Sequence, residues 1–95
     1  VFCNNDAMAL GALQSIQPAG CAVGTAIYLV GVDALADAVP AVIGGNMTGT
    51  VLNGDEGQAT AATEATRLYV EGEPVEQYYW VDYVKVTPEN AADYL

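Results

Sequence analysis

The stretch Ala26-Ile27-Tyr28-Leu29-Val30-Gly31-Val32-Asp33 decides the fold class. Seven uncharged residues, rich in β-branched and aromatic side chains, stop at an acid. A short, continuous apolar run of this kind is the signature of a strand buried on both faces, as in parallel sheets with helices on either side. A Gly-rich loop through Gly24 precedes it, and a helical pattern follows it.

Working outward, the same strand-then-helix alternation repeats. Val1–Asn4 is a short apolar run ending in Asn-Asn-Asp, where Asn5 or Asp6 can accept from the free amides of a first helical turn. Met8, Ala9, Ala12, Leu13 and Ile16 follow at helical spacing, and Pro18 and Gly20 end that helix. Leu35 to Ile43 reads as a second helix with a defect, because Pro40 lacks a donor and must sit near the helix start or kink it. Gly44-Gly45 closes it. Thr48–Asn53 reads as a third strand.

Asp55 is then placed to cap a helix over Glu56–Val70, with Ala59, Ala62, Ala65, Leu68 and Tyr69 along one side. Glu71-Gly72-Glu73-Pro74 is a turn. Tyr78–Val86 is the longest strand candidate, and Thr87-Pro88 reads as N-cap and first position of a last short helix. The resulting fold class is α/β in the order βαβαβαβα, a mostly parallel sheet of about four strands with covering helices. The length suits a single small domain over residues 1–95.

The charge balance narrows the function classes. The formal net charge is −10, and Arg67 and Lys85 are the only bases. Nucleic-acid binding needs several cations to neutralise phosphates, so it is disfavoured. Anionic membranes and phosphorylated ligands are disfavoured for the same reason, and a neutral ligand fits better. No run of about 20 apolar residues is free of breaks and acids, so no membrane-spanning helix is expected. Cys3 and Cys21 match no zinc or redox spacing; Cys3 reads as a buried free thiol, and a bridge between the two stays open. There is no His, and Ser15 is the only Ser, so catalysis has little support and neither a metal nor a cofactor is implied.

Three strands end at polar side chains: Asn5, Asp33 and Asn53. In open α/β sheets ligands bind at the carboxyl ends of the strands, so these residues can meet on one edge. A carboxylate offers acceptor oxygens, and each Asn offers both a donor and an acceptor, which suits vicinal hydroxyls. A purely local role is open to each as well: Asn5 and Asp33 as helix caps, Asn53 as a turn residue before Gly54.

Several ordered blocks add to this reading. Asn4-Asn5-Asp6-Ala7-Met8-Ala9-Leu10-Gly11-Ala12, Val30-Gly31-Val32-Asp33-Ala34-Leu35, Gly49-Thr50-Val51-Leu52-Asn53, and Gln58 with Val81–Asn90 resemble the C-terminal part of type I periplasmic sugar-binding proteins of the galactose/glucose-binding kind. The resemblance implies that Asn5, Asp33 and Asn53 contact sugar hydroxyls, and that the chain corresponds to roughly the last third of a two-lobed receptor. It implies an extracytoplasmic parent that binds a neutral monosaccharide, galactose or glucose among the candidates, and serves a membrane ABC transporter.

The first lobe's contacts, the stacking aromatic and the calcium loop of the family lie upstream of the matched blocks. Ala36 stands where Pro is common, and Pro40 where a helix former is expected. Without a first lobe, the Ala-rich face of residues 56–70 is expected to fold back or swap into a second copy, making a homodimer. A stand-alone structural fragment without ligand binding, and the effector domain of a sugar-responsive regulator, are the competing readings. Tyr78, Tyr79, Trp80 and Tyr83 read as core or interface packing, with Tyr78 and Trp80 on one face of their strand.

Overall fold

A computed structural model describes residues 1–95. The sequence reads as one small domain; the backbone divides into two compact units, Val1–Asn53 with Val84–Leu95, and Gly54–Tyr83.

The first unit is built on adjoining extended segments. Phe2 pairs in parallel with Val30, and Val30 in parallel with Gly49. The backbone bonds follow: Cys3 N–H to Val30 O at 2.9 Å, Gly31 N–H to Gly49 O at 3.3 Å, and Asp33 N–H to Val51 O at 2.8 Å. Strand β1 (Thr50–Leu52) then pairs antiparallel with β2 (Val84–Val86), Thr50 opposite Val86. Regular strand is confined to this two-stranded antiparallel pair, in place of the expected sheet of about four mostly parallel strands; the segments before Asn5 and Asp33 join it through single parallel bridges.

Helix α1 (Asp6–Ile16) and helix α2 (Ala38–Ile43) supply the covering layer. Ala9 and Leu13 of α1 join Leu29, Ala38, Val39, Val42, Met47, Val86 and Ala91 in the core. Helix α2 is shorter than the Leu35–Ile43 expected from the sequence. Pro40 is its third residue, where an amide would have no partner within the helix and its loss costs nothing. Leu35 is left to make a turn, accepting from Ala38 and Val39.

Residues 26–33 were expected to be buried on both faces, and they are not. Leu29 and Gly31 are buried against the helices, Val30 and Val32 are half-buried, and Tyr28 is exposed. An open apolar groove of about 330 Å³ is lined by Phe2, Val30, Val51 and Lys85 among others. Cys3 is half-buried, Cys21 is exposed, and both thiols are free.

The C-terminal helix is a 3₁₀ turn, Ala91–Tyr94, rather than a helix starting at Thr87. Asn90 decides this: its Oδ1 accepts from Thr87 N–H at 2.8 Å and its Nδ2 donates to Lys85 O at 2.9 Å. Thr87 is therefore held as a receiver of a side-chain cap and does not act as one.

The second unit is helix α3 (Asp55–Val70) and the segment after it. Gly54, in the left-handed region at φ 59°, is the N-cap, so Asp55 lies inside the helix and does not cap it. Asp55 and Glu56 still favour that end, because a helix N-terminus carries partial positive charge. No residue of α3 is buried. Val81 packs on its first turn: a β-carbon at Gly57 would lie 2.9 Å from Val81 Cγ1.

The long strand expected over Tyr78–Val86 is reduced to Val84–Val86. The rings of Tyr78 and Trp80 stack with centroids 5.7 Å apart, as the alternation predicts for two residues on one face. Trp80 is 86% exposed, so the core packing expected of it is absent within this chain. No facing layer within the second unit covers it.

Candidate functional site

The parallel ladder sets the register of one edge. Asp6 N–H donates to Val32 O at 2.8 Å, and Asp33 N–H donates to Val51 O at 2.8 Å. Asn5, Asp33 and Asn53 thus each follow the carboxyl end of one of three adjoining segments of the first unit, and all three are half-buried.

Asn5 does cap α1. With extended backbone at φ −150°, its Oδ1 accepts from Met8 N–H at 2.9 Å. The capping bond engages Oδ1 and leaves the two Nδ2 hydrogens as donors for other partners. Asn5 and not Asp6 is the cap.

Asp33 does not cap a helix. Helix α2 begins five residues later, and its N-cap position is Asp37, whose side chain makes no capping bond. Asp33 instead sits in a strained turn: φ is 114° at Asp33 and 54° at Ala34, the only non-glycine residues with positive φ. Each such conformation costs on the order of 1–3 kcal/mol and persists only when the surroundings enforce it.

The enforcing groups are Asp6 and Thr50, which the sequence reading missed. Asp6 is fully buried at the start of α1. Its Oδ2 accepts from Leu35 N–H at 2.8 Å, and its Oδ1 accepts from the Thr50 hydroxyl at 2.6 Å. Thr50 Oγ1 in turn accepts from Ala34 N–H at 3.3 Å. Two consecutive amides after Asp33 are thus held by side chains from two other segments. Hydrogen bonds to a buried carboxylate contribute more than neutral ones, about 1.5–3 kcal/mol each, which suffices to offset the strain. Asp6 directly follows the N-cap Asn5, and Gly31, which lies against it, leaves room for its carboxylate.

Asn53 directly follows β1 and precedes the left-handed Gly54. Its position at the strand end agrees with both a turn role and a ligand role.

The electrostatics favour neutral ligands. Of the two cations, Arg67 lies in the second unit, engaged by Glu64 through Nε at 3.1 Å and by Glu71 through Nη1 at 2.7 Å. These bonds hold the Glu64 carboxyl below its ordinary pKa and raise that of Arg67. Lys85 is on β2, not at the strand ends that carry the three polar residues. No group of three or more potential metal ligands comes together, and no helix is long and apolar enough to cross a membrane.

Comparison with known proteins identifies the fold. A family model described as the periplasmic binding protein domain matches residues 1–74. The D-galactose/methyl-galactoside binding periplasmic protein of Haemophilus influenzae is 33% identical over 104 aligned positions, covering 100% of this chain and 30% of that protein. A solute-binding protein of an ABC transporter from Actinobacillus succinogenes 130z, solved with bound D-allose, superposes with a TM-score of 0.89 at 28% identity, covering 97% of this chain and 32% of that one. A solute-binding protein from Bacillus halodurans C-125 with bound myo-inositol superposes with a TM-score of 0.87 at 33% identity, covering 99% of this chain and 32% of that one. The chain thus spans about 30% of the length of the curated relatives it matches. The second copy expected from the sequence gains no support from these likenesses.

Proposed function

The chain belongs to the periplasmic binding protein domain family, whose members are receptors and not enzymes, and from that premise we propose that it supplies one edge of a binding site for a neutral, polyhydroxylated ligand of the hexose class. Asp33 accepts from two neighbouring hydroxyls, Asn5 donates through Nδ2, and Asn53 donates and accepts at the far end of the edge. The remaining contacts come from a second lobe outside these 95 residues, and closure of the two lobes around the ligand, outside the cytoplasm, serves a membrane ABC transporter.

The observation that carries this reading is the Asp33 turn. Its carboxylate ends a strand, serves no helix as a cap, and is held there by strained backbone braced from two sides. Strain of this kind concentrates at ligand sites. The ligands of the relatives above, a galactoside, D-allose and myo-inositol, are neutral polyols, which fits a chain of net charge −10.

The test is a matched pair of titrations of the chain, followed by the amide resonances of the Asp33 edge. D-galactose, D-allose and myo-inositol are expected to perturb them, and D-galactose 6-phosphate and D-glucuronate are not. Equal or stronger perturbation by the two anions contradicts a neutral-ligand site.

A further inference from the structure

The buried Asp6 and Thr50 lie outside the three ligand contacts, yet every hydrogen bond that their side chains make ends at the turn that presents Asp33 or at each other. We propose that Asp6 and Thr50 are positioning residues that set the direction of the Asp33 carboxylate. The proposal rests on the reading of Asp33 as a ligand contact.

Asp6 opens α1, Thr50 opens β1, and Leu35 lies beyond the second extended segment, so residues 29 and 44 positions apart from Asp6 in sequence meet on one carboxylate. The Thr50 hydroxyl has a single hydrogen, and Asp6 Oδ1 takes it at 2.6 Å. Its lone pair is thereby turned toward Ala34 N–H. With Leu35 N–H on the other carboxylate oxygen, Ala34 and Leu35 amides are fixed in direction. The peptide planes on both sides of Ala34 are thereby held, and with Asp33 N–H on Val51 O the plane before Asp33 is held as well, so the backbone of Asp33 and Ala34 is fixed in the positive-φ turn. Release of the Ala34 plane would free the Asp33 backbone to leave this turn and so change the direction of its Cα–Cβ bond.

Burial makes the brace selective. Asp6 is 0% and Thr50 2% exposed, so water cannot replace a lost partner cheaply. Gly31, whose missing side chain makes room for the Asp6 carboxylate, completes the recess.

The experiment uses the full chain with Thr50→Val, which keeps the shape and removes the hydroxyl, and Thr50→Ser, which keeps the hydroxyl. Amide hydrogen exchange at Ala34 and Leu35 is expected to speed up by about tenfold or more in Thr50→Val. The Cys3 and Gly31 ladder amides should be unaffected, and Thr50→Ser should stay near the parent. Perturbation of Asp33 by D-allose is expected to need about tenfold more sugar in Thr50→Val and to recover in Thr50→Ser.

Unchanged exchange at Ala34 and Leu35 in Thr50→Val overturns the proposal, as does a loosened turn with unchanged response to D-allose. If Thr50→Val loosens all amides together, the HN–Hα couplings of Asp33 and Ala34 still report φ in the folded population. Couplings unchanged from the parent overturn the proposal, and altered ones support it. A parent chain that binds no sugar while Thr50→Val still frees the turn refutes the ligand reading and leaves the brace standing.

Discussion

Gly31 lies directly against Asp6. A β-carbon at position 31 would collide with the Asp6 carboxylate and stand 3.1 Å from Asp6 Cα and 3.2 Å from Ala9 Cβ. The first turn of α1 approaches the second extended segment this closely because there is no side chain between them. Gly31→Ala is expected to destabilise the chain by about 1–3 kcal/mol, the usual range for overpacking a filled site. Equilibrium urea unfolding followed by circular dichroism checks it.

Gly11 is the opposite case. It lies exposed within α1, and a β-carbon there meets nothing within 4 Å. Only helix propensity is at stake, and Ala exceeds Gly by about 0.8–1 kcal/mol in a helix interior. Gly11→Ala is expected to stabilise the chain by about that amount in the same unfolding assay.

The strain at the Asp33 turn has a measurable counterpart. Ala34 at φ 54° occupies a conformation that Gly adopts freely. Relief of about 1–2 kcal/mol is partly offset by the greater freedom of Gly in the unfolded chain, about 0.5–1 kcal/mol. Ala34→Gly is expected to raise the stability by up to about 1 kcal/mol. Thermal melting of the variant against the parent reads this directly.

The outline of this fold is legible in the sequence where local chemistry decides. The extended course of the segments before Asn5, Asp33 and Asn53, and the Asn5 cap on the first helix, follow from pattern alone. What escapes is decided by distant partners. Nothing near Asp6 in sequence reveals that Thr50 and Leu35 converge on it, so it reads as a surface cap when it is buried. Tyr78–Tyr83 has the composition of a strand and lacks a neighbour within this chain to pair with, so only Val84–Val86 is a strand. Asn90 binds Thr87 back and turns an expected helix into a 3₁₀ turn. The antiparallel sense of the last strand is likewise a property of the chain's return path and not of its residues.

Arg67 links Glu64 and Glu71 on the exposed side of α3. The side-chain bond from Arg67 lowers the Glu64 pKa in the folded chain. A depressed carboxylate contributes its stabilisation above its unfolded pKa and loses it as pH falls through the folded value. All three side chains are about half exposed, so the effect is local and screened by salt. In Arg67→Met, the side-chain carboxyl carbon of Glu64 is expected to titrate at higher pH than in the parent, with the gap narrowing at 1 M salt. Carbon-detected NMR titration measures both.

The central claim, that Asn5, Asp33 and Asn53 form one edge of a site for neutral sugars, is tested most directly by mapping D-allose onto the chain by NMR. The account predicts weak, saturable shifts, in the millimolar range expected for an incomplete set of contacts, centred on residues 5, 33 and 53 and lost in Asp33→Ala. Shifts absent from those three residues, or identical in the parent and Asp33→Ala, would contradict it.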